Sequence, residues 1–382
     1  MDFTPMLNEF AEAKRNGFIT TKELKEQGKK VVGVYCGFAP WEIITASGAV
    51  AAWLCGMSDV TIPDAEKYLP ANLCPLIKSS YGFAVTDKCP YFHFSDMLIG
   101  ETTCDGKKKM YEFLSDLKPM HIMHLHQNPK AEGSFRYYRS EMVKLKEALE
   151  KELDVEITDE AIRDRIKIRN RERKVLRNFY EMGKLNPPPI YGFDMRRVIQ
   201  ATLYIADKEI EIEKVERLTS AIMEDYKKNG SAVPATAKRI MVTGSPLGDA
   251  TENVIKIIED NGGVVVCFEN CTAIKDKEDS VQETGDPFDA LTDRYLKSGC
   301  ACMSPNDHRM DMLSYYIDEY KVDGVVDVIL QTCHTYNVET KRVKDVVTAK
   351  NIPYLNLETD YSQETIGQLT TRIMAFLEML SV

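Results

Sequence analysis

Two hydrophobic periods alternate along the chain. Lys30 to Tyr35, Pro119 to Leu125, Arg239 to Thr243, Val264 to Phe268, Asp323 to Leu330 and Asn351 to Leu357 are short apolar runs, several rich in β-branched residues. Runs of that length with no polar alternation read as strands buried on both faces, as in a parallel sheet. Helical periods lie between them. Pro40-Trp41-Glu42 opens one helix, which continues through Ala46, Gly48, Ala49 and Ala52. Cys104 precedes another, with Met110, Leu114 and Leu117 on its apolar side, and further helices cover Glu252 to Asp260 and the chain's end to Leu380. Asn261-Gly262-Gly263 is a helix stop, and Gly244 to Gly248 a turn. Residues 2 to about 30 read as short helices anchored by Phe10 and Phe18. Strands alternating with helices predict an α/β fold with open parallel sheets.

Between Ser134 and about Gly230 the period is helical throughout and charges are dense, as in Glu141 to Leu149; Asn186-Pro187-Pro188-Pro189 interrupts the run. This reads as a helical layer whose charges form a solvated face. The expected organisation is an N-terminal α/β domain with leading helices over 1–133, a helical connecting region over 134–237, and a C-terminal α/β domain over 238–382. The strand–turn–helix–glycine–strand order after Lys238 repeats the order from Val31 to Leu54, as in an internal duplication.

The 382 residues suffice for two or three cores. A net charge of -10 argues against a nucleic-acid partner, since phosphate binding needs a basic excess. No apolar run reaches spanning length, and the opening residues are acidic and polar, so a cytoplasmic protein with no membrane partner is expected. Ten cysteines in a reducing compartment point to metal or redox chemistry before a disulfide frame.

The cysteines gather where such sheets bind ligands, beyond the carboxyl ends of strands. Cys36, Cys271 and Cys333 each follow a strand. Cys74, before Pro75, and Cys104, before Asp105-Gly106, stand at helix entrances, where the dipole and nearby lysines favour thiolate. Cys300-Ala301-Cys302 lies in a loop. Cys267, inside an apolar strand, reads as packing, and Cys55 and Cys89 lean the same way. No Cys-x-x-Cys pair or compact ferredoxin run occurs. Two readings of the residues stay open: an iron–sulfur cleft assembled from distant loops, and structural thiols with a thiol-nucleophile site. His124 and His126 share a strand face that His121 does not, which disfavours a three-histidine zinc site. Among polar side chains near the same strand ends, Glu42, Lys78, His334 and Tyr336 are the catalytic candidates, with Lys78 placed to attract an anion and His334 to donate a proton.

Tyr35-Cys36-x-x-x-Pro40-x-Glu42, Leu73-Cys74-Pro75-Leu76-Ile77-Lys78-Ser79, Thr103-Cys104-Asp105-Gly106-Lys107-Lys108, Glu269-Asn270-Cys271 and Asp323-Gly324-Val325-Val326 together resemble the 2-hydroxyacyl-CoA dehydratase family. Arg294-Tyr295-Leu296 and Cys333-His334-x-Tyr336 extend the match over nearly the whole chain, and the extra cysteines bring it nearest the double-cubane cluster proteins of that family. The resemblance implies two flavodoxin-like parallel-sheet domains plus helices, with an iron–sulfur cluster in the interdomain cleft. It implies a 4Fe–4S cluster on Cys74, Cys104 and Cys333. In a double-cubane 8Fe–9S protein, a second set falls on Cys36, Cys271 and Cys302, with Cys300 an open substitute for Cys302. It also implies a homodimer and a separate ATP-hydrolysing iron–sulfur activator that supplies electrons. The expected activity is activator-dependent, low-potential reduction of a small molecule. The alternatives are a (R)-2-hydroxyacyl-CoA dehydratase subunit with one 4Fe–4S cluster, and a non-catalytic iron–sulfur electron carrier.

Overall fold

The computed structural model describes residues 2–246, 248–271, 275, 277–362 and 364–381. Leu247, within the expected Gly244–Gly248 turn, lies outside them. The strands are β1 (Val31–Val34), β2 (Val50–Trp53), β3 (Met97–Glu101), β4 (Met120–Met123), β5 (Lys238–Gly244), β6 (Gly263–Glu269), β7 (Gly324–Leu330) and β8 (Tyr354–Thr359). They form two four-stranded sheets, β2-β1-β3-β4 and β6-β5-β7-β8, with every pairing parallel. Each has the flavodoxin-like order with the first strand inside and the second at the edge. The same order in both halves agrees with the repeat legible in the sequence. Val31, Val32 and Val34 in β1 and Val325, Val326 and Val328 in β7 are almost fully buried, as strands covered on both faces require.

Three readings change. The helix opened by Trp41 ends at Ala46, and Val50–Trp53 is edge strand β2 rather than more helix. Gly48 sits at φ 81°, a left-handed stop that breaks the helical period, and Val50 then pairs with Val31. The expected short leading helices are a single helix, Thr4–Glu26. Gly17 within it costs only about 1 kcal/mol of helix propensity, and burial of Phe10 offsets that.

The third change concerns the helical layer. Ser134–Leu153, Asp159–Tyr180, Gly192–Ala201 and Lys208–Asn229 are helices as expected. Thr158 caps the second, its side chain accepting from Ala161 N, and Asp207 caps the fourth. Their charges are not all solvated, because Arg169, Glu172, Arg173 and Glu211 are buried. Arg169 pairs with Glu172 three residues on, and Lys208 reaches Glu211 at 2.5 Å and Glu172 at 3.6 Å, so the charges compensate one another out of water. A helical period does not distinguish an outward charge from one facing a second charged helix.

That layer also anchors the segment between β6 and β7. Asn170 grips the Val281 backbone twice, its Nδ2 donating to the carbonyl at 2.7 Å and its Oδ1 accepting from N–H at 2.9 Å. Arg177 donates to the carbonyls of Lys277 and Glu278 at 2.6 and 2.7 Å, and Arg139 pairs with Asp286 and Asp289. The Pro287–Tyr295 helix thereby packs against the helix Ser134–Leu153, and Cys302 and Met303 join the core beside Val32, Val34 and Ile99. Residues late in the chain are thus carried to the N-terminal sheet.

Asp327, in central strand β7, is fully buried. Its Oδ2 accepts from the Tyr354 hydroxyl at 2.6 Å, while Oδ1 has no hydrogen-bond partner among the described residues. Burial pushes its carboxyl up to about 6 from 3.8, against the opposing pull of Arg309. A folded-state value above the unfolded one favours folding at low pH, and that contribution is lost as pH rises from about 4 through about 6. Asp327→Asn keeps an acceptor for Tyr354 and removes the titration. Its stability relative to the parent is expected to rise by on the order of 1–2 kcal/mol between pH 5 and pH 8. Urea denaturation at the two pH values checks this, and a pH-independent difference refutes it.

Candidate metal centre

A cavity of about 190 Å³ lies beyond the carboxyl ends of both sheets, and eight of the ten cysteines line it. The strands explain their convergence. Cys36 follows β1, Cys55 follows β2, Cys104 follows β3, Cys271 follows β6 and Cys333 follows β7, so each chain reversal delivers a thiol to the same end. The anchored segment after the Pro287–Tyr295 helix brings Cys300 and Cys302. The other two cysteines stand elsewhere: Cys267 is sealed inside β6, and Cys89 caps the short Pro90–Phe94 helix, its sulfur accepting from Phe92 N at 3.4 Å. Both match the packing role expected of them.

Cys74, Cys104 and Cys333 are the N-caps of the helices Pro75–Val85, Asp105–Leu114 and His334–Ala349. The N-termini of three helices, and with them the positive ends of three dipoles, therefore face one space. The first two lie side by side because Gly106 has no side chain: a Cβ there would stand 2.5 Å from Ile77 Cδ1. That contact is the physical use of the glycine in Cys104-Asp105-Gly106.

The thiols fall into two neighbouring sets. Cys74 and Cys333 lie close enough to perturb each other's ionisation, with Cys104 in the field of Cys333. Cys300 and Cys302 form a second close pair, with Cys36 and Cys271 in the field of Cys300. Within each pair one thiol is lowered by its neighbour, Cys333 beside Cys74 and Cys300 beside Cys302, while the neighbour itself is raised. The expectation that Cys104 favours thiolate from its helix position is corrected. Burial raises it, outweighing the Lys107 backbone N–H and the Lys107 charge. Among the described residues no three donors stand together as ligands of a single ion. Eight thiols spread around one cavity instead form a donor set for a polynuclear centre, whose own width separates its thiolates. Soft sulfur ligands select iron–sulfur clusters, copper(I) or zinc.

Cationic groups offset these sulfurs. Lys107 is buried and donates to the Tyr35 carbonyl at 3.0 Å. Burial opposes its charge, but Tyr111, Cys36, Cys55 and Glu101 around it hold it firmly protonated. Lys275 lines the cavity and meets Glu269 Oε1 at 2.6 Å. Phe38, Trp53, Leu76, Ile77 and Ile199 supply apolar wall, which lowers the local dielectric and strengthens each of these interactions.

The catalytic candidates separate by position. Tyr336 lines the cavity, its hydroxyl 3.4 Å from Cys271 Sγ. Glu42, Lys78 and His334 do not line it. Glu42 is fully buried, bonded to Arg173 at 2.8 Å and to the Tyr295 hydroxyl at 2.7 Å. Burial alone would raise its carboxyl, but Arg173, Arg169 and Tyr295 hold it below the usual range. The Lys78 ammonium is consumed by Glu66 Oε1 and the Ala71 carbonyl, each at 2.7 Å, so it cannot serve an anion in the cavity. His334 is exposed at the start of its helix. Sequence reasoning underrates Cys55, whose thiol donates to the Tyr35 carbonyl at 2.9 Å from the cavity wall. Its position just past β2 is hidden as long as that stretch reads as helix.

Comparison with known proteins gives these thiols a context. The family model described as 2-hydroxyglutaryl-CoA dehydratase, D-component, matches residues 36–380, beginning at Cys36 itself. The chain is 50% identical over 380 residues, 99% of each chain, to the Escherichia coli (strain K12) protein named "Putative dehydratase subunit YjiM". It is 26% identical over 370 residues, 94% of each chain, to the (R)-phenyllactyl-CoA dehydratase beta subunit of Clostridium sporogenes. An identity of 21% over 351 residues, 89% of each chain, links it to one of the subunits of benzoyl-CoA reductase from Thauera aromatica. The shared span contains every cysteine of the cavity, and on that ground and the length of the match the chain belongs to the 2-hydroxyglutaryl-CoA dehydratase D-component family.

Proposed function

We propose that this protein is an iron–sulfur oxidoreductase that takes low-potential electrons from a separate ATP-hydrolysing activator and passes them to a small molecule at the cysteine-lined cavity. The carrying observation is the convergence of eight thiols, drawn from both halves of the chain, on one cavity. Cys74, Cys104 and Cys333 hold one cubane and Cys36, Cys271 and Cys302 the other, with Cys300 able to replace Cys302. When bound, such a cluster supplies electrons singly at low potential. The protein's own contribution is electrostatic and steric. Helix N-termini and Lys107 balance the thiolates, Lys275 does so near Cys271, and the apolar wall keeps bulk water from reducing equivalents. Catalytic roles for Glu42, Lys78 and His334 are not part of this reading; Tyr336 stays at the site. The proposed assembly is a cytoplasmic homodimer with the cavity-bearing halves 1–133 and 238–382 joined by region 134–237.

A second reading rests on the relatives named as dehydratase subunits: one 4Fe–4S cluster on Cys74, Cys104 and Cys333, in a subunit of a (R)-2-hydroxyacyl-CoA dehydratase. Iron and sulfide analysis after anaerobic purification separates the two, about eight irons per chain supporting the first and about four the second. Consumption of activator-supplied electrons only in the presence of a reducible substrate supports an enzyme. Electron uptake with no substrate dependence supports the carrier alternative, and a chain that binds no iron under these conditions refutes all three.

A further inference from the structure

We propose that Arg309 and Tyr336 act in series on Cys271, raising the reduction potential of the metal centre that this thiolate helps to hold. The inference rests on the iron–sulfur reading above and adds a role for two residues within it.

Arg309 is almost fully buried near the start of the helix Asp307–Glu319, and four hydrogen bonds to three groups fix its guanidinium. Glu269 Oε2 accepts from Nε at 3.1 Å and Nη2 at 2.9 Å, Glu339 Oε2 accepts from Nη1 at 2.5 Å, and the Thr243 hydroxyl accepts from Nη2 at 3.0 Å. Lys275 beside Glu269 adds a second cation, so the two carboxylates are matched in charge. These contacts leave the guanidinium carbon 4.8 Å from the centre of the Tyr336 ring. A cation on a phenol ring draws electron density from it and makes its O–H a stronger donor. That O–H lies 3.4 Å from Cys271 Sγ, within the longer range of hydrogen bonds to sulfur.

Tyr336 also joins the two thiol sets. Its backbone stands in the first turn of the His334–Ala349 helix, which Cys333 opens as N-cap. Its side chain reaches Cys271 of the other set. A hydrogen bond to a thiolate sulfur stabilises the state with more negative charge, which after one electron enters is the reduced state, so the potential rises. No proton leaves Tyr336 in this step; the electron stays on the centre and the O–H···S contact tightens. Arg309 touches no thiol here and is a positioning residue, acting only through the ring it polarises.

Tyr336→Phe keeps the ring over Arg309 and the helix turn that follows Cys333, and removes only the hydroxyl. The test is a dithionite redox titration of the iron-loaded protein followed by electron paramagnetic resonance, with iron content measured on the same samples. The expected result is parental iron content with a midpoint potential shifted to a more negative value. Arg309→Lys, which retains a cation for Glu269 and Glu339 but not the flat stack, is expected to shift it in the same direction by less. Parental iron with an unchanged potential in Tyr336→Phe overturns the inference and leaves the iron–sulfur reading standing. A shift to a more positive potential overturns it equally. Failure of the unsubstituted protein to bind iron overturns both. If Arg309→Lys melts earlier without any shift in potential, the role of Arg309 is structural and the series arrangement is refuted.

Discussion

Cys104→Ser and Cys333→Ser are each expected to lose about half of the bound iron, whereas Cys267→Ser keeps all of it. The first two replace thiols that cap helices facing the cavity, in the same neighbouring set. Serine retains the size and a helix-capping oxygen, so the helices persist while the soft ligand is gone. Cys267 is sealed inside β6 and lines no part of the cavity. Its conversion to serine is a packing and hydroxyl-burial change, costing roughly 1–3 kcal/mol of stability. Iron analysis and circular dichroism on the same preparations check both statements. Equal iron loss in Cys267→Ser and Cys104→Ser refutes the division of the cysteines. Loss of all iron in Cys104→Ser and Cys333→Ser, from a parent with about four irons per chain, favours the single-cluster dehydratase reading.

The second large effect is expected at Glu42. Glu42→Ala removes the partner of a fully buried Arg173, leaving a guanidinium without its carboxylate in a dry site. Breaking such a pair on one side costs about 3–5 kcal/mol. Tyr295 loses its acceptor in the same change. Thermal melting is therefore expected to occur well below the parental temperature. The double variant Glu42→Leu with Arg173→Met, which fills the space with apolar atoms, recovers most of the loss. A catalytic Glu42 predicts the reverse: parental melting, abolished turnover, and no recovery in the double variant.

These outcomes show where sequence and structure part. Cys36, Cys74, Cys104, Cys271 and Cys333 are recognisable as a cavity set because each sits after a strand or before a helix, and parallel topology sends all such positions to one end. Six of the eight strands are legible for a similar reason, since short apolar runs between helices have few alternatives. β2 escapes because Ala49 to Ala52 carries small residues that suit either state, and only pairing with β1 decides between them. Glu42 and Lys78 lie within the cysteine-bearing motifs, yet their side chains turn to Arg173 and Glu66. Proximity in a motif says nothing of which way a helical side chain points.

By itself, the sequence determined the α/β class, the repeated order of strands, and which thiols end up beyond the strand ends, because these follow from local period and chain direction. Tertiary structure supplied how Cys300 and Cys302 reach Cys36, a grouping the family resemblance implied: a long segment held by Asn170, Arg177 and Arg139 crosses to the other half. It alone set Tyr336 between Arg309 and Cys271, and buried Arg169, Glu172 and Glu211 together in what reads locally as a solvated face. The reason is common to all three. Contacts between residues distant along the chain depend on how packed elements face one another, and no local period encodes that facing.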